Sequence, residues 1–328
     1  MLKIKSILIF LLRIGISVLL LLFLFKSNKI DLHVLLGDIK GTDKRLLAAG
    51  FVIYSFTYLF GFLRWQMLLR TAGISASFRK IISSFSGGVF FSIFLPSTIG
   101  GDLIRSADLA GHTKKTKEVI ATVFLDRLSG YIGLVLIILP GLLLGGKLVL
   151  DKLVLSSVAA IVILLVIGLL VLFNSSIYAG ISRFLSAPGA GKIKEIIRDM
   201  HQEIHVFRNH KRIIILNLFL SFLVQLFAVL CIYLIGLSLG IKVSFVYFLI
   251  FLPIIGAITL LPVAISGLGL RESLFVLYFA KVGVIKQLAL AMSLLSFSFT
   301  VFCGAIGGLI YVFTVRYRRL QSDKPSRV

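Results

Sequence analysis

Apolar residues in this chain come in long blocks, and the polar positions between them decide how each block is used. Six blocks are long enough to cross about 30 Å of hydrocarbon as a helix. They fall at about Ile7–Phe25, Leu46–Leu69, Val119–Leu144, Leu153–Phe173, Ile213–Leu237 and Leu288–Val315. Arg13 interrupts the first in its second turn, where a long side chain can snorkel back to the interface. Lys26–Arg45 mixes acids and bases, and Asp31–Ile39 within it predicts a short interfacial helix. The polar stretch Asn174–Arg212 spaces Ile193, Ile196, Ile197, Met200, Ile204 and Val206 along one face, which predicts a surface helix.

Two further apolar segments do not run through. Phe78–Leu95 carries Ser83, Ser84, Ser86, Gly87 and Gly88, small residues that let helices approach closely, and it stops at Pro96. Leu103–Ala110, beyond the stop, is too short to span. In the other half, Phe245–Leu261 stops at Pro262 and resumes as Arg271–Val284. Both interruptions open on Leu-Pro, place a glycine five residues after the proline (Gly101, Gly267) and an arginine nine after it (Arg105, Arg271). Hydrocarbon tolerates broken backbone and charge only where protein or a water-filled cavity surrounds them. Phe78–Ala110 and residues 245–284 are therefore expected to be re-entrant helix hairpins, each entering and leaving on one side.

The fold class that follows is all-α, a polytopic helical membrane protein of about six full spans plus two re-entrant hairpins. Each half reads span, span, hairpin, span, which predicts two inverted repeats, 1–147 and 148–316, with a basic tail at 317–328. Six spans return the chain to its starting side. Both ends are basic, and the clusters His112–Lys117 and Lys192–Arg212 fall on that same side. The positive-inside rule makes it the cytoplasmic face of the cell membrane, with both termini cytoplasmic.

Composition agrees: 59% of residues are hydrophobic and only 15% charged, against about 25% charged in a soluble domain. A net charge of +22 would ordinarily raise nucleic acid as a partner. The bases cluster in loops between apolar blocks and form no surface stripe, so nucleic acid is not expected and an anionic lipid surface is. Cys231 and Cys303 sit inside apolar blocks and read as small hydrophobes in helix packing. The first block is longer than a signal peptide's core and no small-residue cleavage site follows it, so an uncleaved span is expected.

Candidate chemistry gathers at the interruptions. Ser97 and Thr98 can cap a half-helix that starts at Gly100-Gly101-Asp102, and a helix N-terminus in low dielectric favours an anion. Arg105, one turn on, adds a fork that matches phosphate, and Asp102 at i, i+3 can hold it when no ligand is bound. In the second break, Ser266 can cap, Gly267 and Gly269 allow tight backbone, and Arg271 with Glu272 repeats the charges. Two such N-termini facing one cavity would make an anion-attracting chamber. Asp126 and Arg127 lie about two turns into the third span and point about 100° apart, so different partners are expected for them. Asp126 is expected to neutralise a cavity arginine, and Arg127 to meet the anion or snorkel toward the cytoplasm. Arg64 reads as an interfacial anchor.

Other signals fail. His201 and His205 are i, i+4, but no acid stands in the HExxH position, and a solvated helix face is expected there in preference to a metal site. The chain has no phosphate-loop motif and no nucleophile elbow, so neither cofactor nor catalysis is expected.

These motifs resemble the flippase-like membrane domain of lysylphosphatidylglycerol synthases and its stand-alone homologues. The resemblance covers nearly the whole chain: Arg64-Trp65 with Leu68-Leu69 and Gly73; Pro96 with Gly100-Gly101-Asp102 and Arg105; Asp126-Arg127 with Gly130 and Gly133; and Leu261-Pro262 with Gly267, Gly269, Arg271 and Glu272. Asp126 is a departure, since the family more often has glutamate there. The resemblance implies a flippase for an anionic, aminoacylated or polyprenyl-phosphate-linked lipid, with the phosphate head group as partner. Nothing after the sixth span holds an aminoacyl-transferase domain, which implies a translocator without the synthase. Two alternatives use the same residues: an enzyme or accessory subunit acting on a lipid-linked donor, and a small-anion or amino-acid transporter.

Overall fold

The computed structural model describes residues 15–20, 22–26, 30–95, 99–146, 151–173, 207, 210–260 and 266–322. Arg13, Pro96–Thr98, the predicted surface helix before residue 207, and Leu261–Ile265 with Pro262 lie outside these residues. Among the described residues the chain is helical with no strand. The helices are α1 (Gly15–Lys26), α2 (Leu32–Lys40), α3 (Lys44–Thr71), α4 (Phe78–Phe94), α5 (Ile99–Thr113), α6 (Thr116–Leu144), α7 (Lys152–Phe173), α8 (Lys211–Ser238), α9 (Phe245–Thr259), α10 (Leu270–Ala280) and α11 (Lys286–Ser322).

Five of them are long and apolar enough to cross a membrane, α3, α6, α7, α8 and α11, and they coincide with the predicted second to sixth blocks. Of the predicted first block, the described part is α1. The predicted interfacial segment is α2, capped by Asp31, whose Oδ1 accepts from His33 N at 2.7 Å. Asp43 caps α3 in the same way, accepting from Arg45 N at 2.8 Å. This is a polytopic helical membrane protein.

Each interruption separates a pair of shorter helices. At 1.5 Å per residue, α5 and α9 are about 22 Å long and α10 about 16 Å, all short of the hydrocarbon thickness. In the first pair, Gly101 lies on Gly88, and Asp108 further along α5 meets Ser84 and Lys80 further back along α4, so the two helices run antiparallel. A Cβ added to Gly101 would sit 2.2 Å from the Gly88 carbonyl oxygen, so only glycine permits this approach.

The second pair closes through aromatic rings. Phe248 and Phe251 of α9 meet Phe279 of α10 with centroids 4.9 and 5.3 Å apart, and Phe251 meets Tyr278 at 5.5 Å. All four are buried in the largest apolar cluster.

The pairs also exchange partners: α4 packs on α11, the last long helix of the other half, and α9 packs on α6, the last long helix of the first. Between them α3 and α8 form the broadest contact among the described helices.

Candidate functional site

Around the first interruption, five charged side chains from α3, α5 and α6 form one chain of ion pairs. Gly133 brings α6 against α8, since a Cβ there would sit 2.8 Å from the Ser221 carbonyl oxygen. Asp126 of α6 is gripped twice. Arg64 Nε donates to its Oδ1 at 2.6 Å and Arg105 Nη2 to its Oδ2 at 2.8 Å. Arg64 Nη1 continues to Ser221 Oγ at 3.0 Å. Arg105 Nη2 also lies 2.9 Å from Asp102 Oδ1, and the other oxygen of Asp102 accepts from Arg127 Nε. Asp102 and Arg105 thus pair at i, i+3 as expected, while Asp126 and Arg127 take different partners.

Arg64 overturns its expected role. It is 8% exposed and tied to Asp126, so it is a structural counter-ion and no interfacial anchor. The reason is that α3 runs on to Thr71, which leaves Arg64 two turns inside the helix. Trp65, the next residue, stacks its indole 4.8 Å from the Arg105 guanidinium. Two donors at this contact, Trp65 Nε1 and Arg105 Nε, are buried without a hydrogen-bond partner. Beside the network, Lys80 Nζ donates to Asp108 at 2.7 Å and Ser84 Oγ to the same carboxylate at 2.5 Å. The sequence offered no sign of this last pair beyond a lysine and an aspartate in neighbouring apolar segments.

At the second interruption the ion pair is local, between adjacent residues. Glu272 is fully buried, and its Oε2 accepts from Gly269 N at 2.6 Å. Glycine has no side chain to return the bond, so only half of a capping box forms. The helix therefore starts at Leu270 with Gly269 as N-cap, not under a Ser266 cap as expected. Gly269 has φ +83°, and a Cβ there would meet Leu20 of α1 at 2.7 Å, so both conformation and packing require glycine. Gly267, at φ +73°, carries the preceding turn. Arg271 Nη2 donates to Glu272 Oε1 at 2.6 Å, its Nε reaches Ser293 Oγ at 3.2 Å, and its guanidinium lies 4.5 Å from the Phe297 ring centroid.

Both half-helix N-termini therefore already hold a carboxylate of their own, Asp102 in one and Glu272 in the other. An incoming anion must compete with it for the neighbouring arginine. The arginines differ in what they face. Arg271 lines a half-open cavity of about 220 Å³ together with Tyr54, Gln225, Thr259, Ser296 and Thr300, while the residues lining that cavity do not include Arg105. Gln225 and Ser221 are one turn apart on α8, so the cavity and the ion network are neighbours. Asp126 and Leu134, one at each site on α6, are eight residues apart, on the order of 12 Å. The expected single chamber with both arginines is two adjoining sites.

A groove of about 690 Å³ lies on the other side of the cavity wall, lined by α6, α7 and the end of α9. Ala257, Ile258 and Leu260 face the groove, while Gly256 and Thr259 face the cavity. One helical turn divides them.

Residues 10–308 match the family described as the lysylphosphatidylglycerol synthase TM region. The chain belongs to this family. Among curated relatives it is similar to a UPF0104 membrane protein of Pyrococcus horikoshii, 25% identical over 77% of this chain and 82% of the relative. A UPF0104 membrane protein of Methanothermobacter thermautotrophicus is 21% identical, over 79% of this chain and 80% of its own length. Membership covers all the charged positions above, and it agrees with an integral membrane protein in a lipid-related role.

Proposed function

We propose that this family member is a lipid flippase of the cell membrane, moving a lipid with an anionic phosphate head group between leaflets. The carrying observation is Arg271: a guanidinium that lines a cavity with Tyr54, Gln225, Thr259, Ser296 and Thr300 among apolar helices, one helical turn from an apolar groove of about 690 Å³. A guanidinium fork matches phosphate, and charge at membrane depth is retained for a ligand or a pathway. The head group takes Arg271 from Glu272, crosses past the polar side chains of this cavity, and leaves its chains in hydrocarbon. The two short helix pairs act as re-entrant hairpins of inverted halves, and the exchanged packing of α4 on α11 and α9 on α6 supports that symmetry. The protein supplies a path and makes or breaks no bond in the lipid. Head-group identity among anionic, aminoacylated and polyprenyl-linked lipids is set by the cavity walls.

The test is reconstitution in liposomes carrying fluorescent anionic lipid in both leaflets, with dithionite bleaching the outer one. Bleaching past half is expected with the native chain and is lost in Arg271→Ala, with Arg271→Lys intermediate. Normal bleaching in Arg271→Ala overturns the proposal, as does a change in lipid chemistry seen by mass spectrometry, which would make the protein an enzyme.

A further inference from the structure

The groove on α7 has a shape that the cavity does not explain. It is lined along α7 from Ser156 to Gly168, twelve residues or about 18 Å, close to the roughly 15 Å of one leaflet's hydrocarbon. Its walls are almost wholly apolar and its volume is in the range of small-molecule sites. Its charged lining residue is Arg127, with Tyr131 one turn further along α6.

The polarity of the groove follows from packing. Leu128, next to Arg127, packs against Leu165 and Leu169, which flank Gly168. Arg127 therefore sits at the Gly168 end, and Ser156 marks the other. Arg127 is joined to Asp102 and so to the ion network, yet its side chain keeps 34% exposure, against 11% or less for the other four charged side chains of the network. It lies ten residues beyond Lys117, about 15 Å from the basic start of α6, which is the depth of the membrane centre.

We infer that this groove binds a bilayer phospholipid, with its phosphate on Arg127 and one acyl chain laid along α7 from Gly168 toward Ser156. Charge complementarity selects the occupant: a guanidinium at one end of an apolar slot in the hydrocarbon layer fits a chain carrying an anion. The inference deepens the flippase proposal, since it gives the chains a track beside the head-group cavity. A lipid seated with its phosphate at that depth is part-way across. Arg127 is then the first cationic station and Arg271 the second, separated by the last turn of α9.

Binding is tested apart from transport. The full chain in nanodiscs is irradiated with phosphatidic acid bearing a diazirine at the end of one acyl chain, and the labelled residues are located by mass spectrometry. Label is expected on α7 near Ser156 and Ala160. Ala160→Trp and Gly168→Trp, which fill the groove from the side of an exposed helix, should each cut it at least tenfold while the protein elutes as before. Arg127→Gln should cut labelling by phosphatidic acid several-fold and leave that by a diacylglycerol probe, which has the chains and no phosphate, unchanged. Label spread evenly over the lipid-facing helices overturns the inference, as does equal labelling by both probes in the native chain. If labelling holds while dithionite bleaching stops at half, the groove is a lipid site and the flippase proposal alone fails. If flipping holds without groove labelling, the chains travel elsewhere and this inference alone fails.

Discussion

The two interruptions share a sequence grammar and put it to different uses. In the first, Arg105 is bound by Asp102 from its own helix and Asp126 from another, and Asp126 also holds Arg64 from a third. In the second, Arg271 pairs with the adjacent Glu272, and its guanidinium looks into the cavity. The packing differs in the same sense. The α4–α5 pair meets through Gly88 and Gly101 and has only a small separate apolar cluster at its base, while the α9–α10 pair interlocks phenylalanines in the main core. One break is a keystone whose charges tie helices together; the other is an anchored mount that presents a charge. Equal motifs in the two halves do not imply equal roles, because the partner of a buried ion is chosen by tertiary packing.

The contrast is broken most directly at the carboxylates. Asp126→Ala strands two buried guanidiniums and should cost about 3–5 kcal/mol, enough to prevent recovery of folded protein in mild detergent. Glu272→Gln keeps the bond from Gly269, and the cavity can admit water to Arg271, so a smaller loss of about 1–3 kcal/mol is expected. Thermal unfolding of the two variants in one detergent checks the order; equal losses would erase the distinction between keystone and mount.

A gentler probe uses glycine. Gly101→Ala pushes a methyl into the Gly88 carbonyl and should cost about 1–3 kcal/mol. Gly256→Ala, in the second pair, meets nothing within 4 Å and should stabilise by about 0.5–1 kcal/mol through backbone entropy. The pair of melting temperatures should therefore move in opposite directions.

The smallest effect lies at the surface. Lys281 Nζ donates to Asp151 Oδ2 at 2.7 Å, and that bond, with the Val154 amide, holds the Asp151 carboxyl below the usual carboxylate range. A carboxyl depressed in the folded state stabilises above its unfolded value of about 3.9 and loses that contribution as pH falls through its folded value. Asp151→Asn should lower the melting temperature slightly at neutral pH and leave it nearly unchanged below the folded value, so the acid side of the profile flattens.

The sequence exposed the long spans, both interruptions and the Asp102–Arg105 pair, because hydrocarbon length and i, i+3 geometry are local properties. It placed Arg64 wrongly because its partner is 62 residues away, and position near a predicted block end was the only local cue. The Lys80–Asp108 pair was missed for the same reason. Ser266 looked like a cap by residue type, but the left-handed turn through Gly267 and Gly269 delays the helix until Leu270 and hands the cap to Glu272. Which arginine faces a cavity depends on how three or more helices meet, and no spacing along the chain encodes that.

The contact between Trp65 and Arg105 has an optical consequence. Trp65 is the only tryptophan in the chain, and its ring lies against the guanidinium that joins the first interruption to α6. Indole emission responds to nearby charge, so the protein carries one intrinsic fluorophore at the junction of its ion network. Withdrawal of Arg105 from Asp126 changes the field at that ring, and tryptophan emission follows the first hairpin in real time without a label.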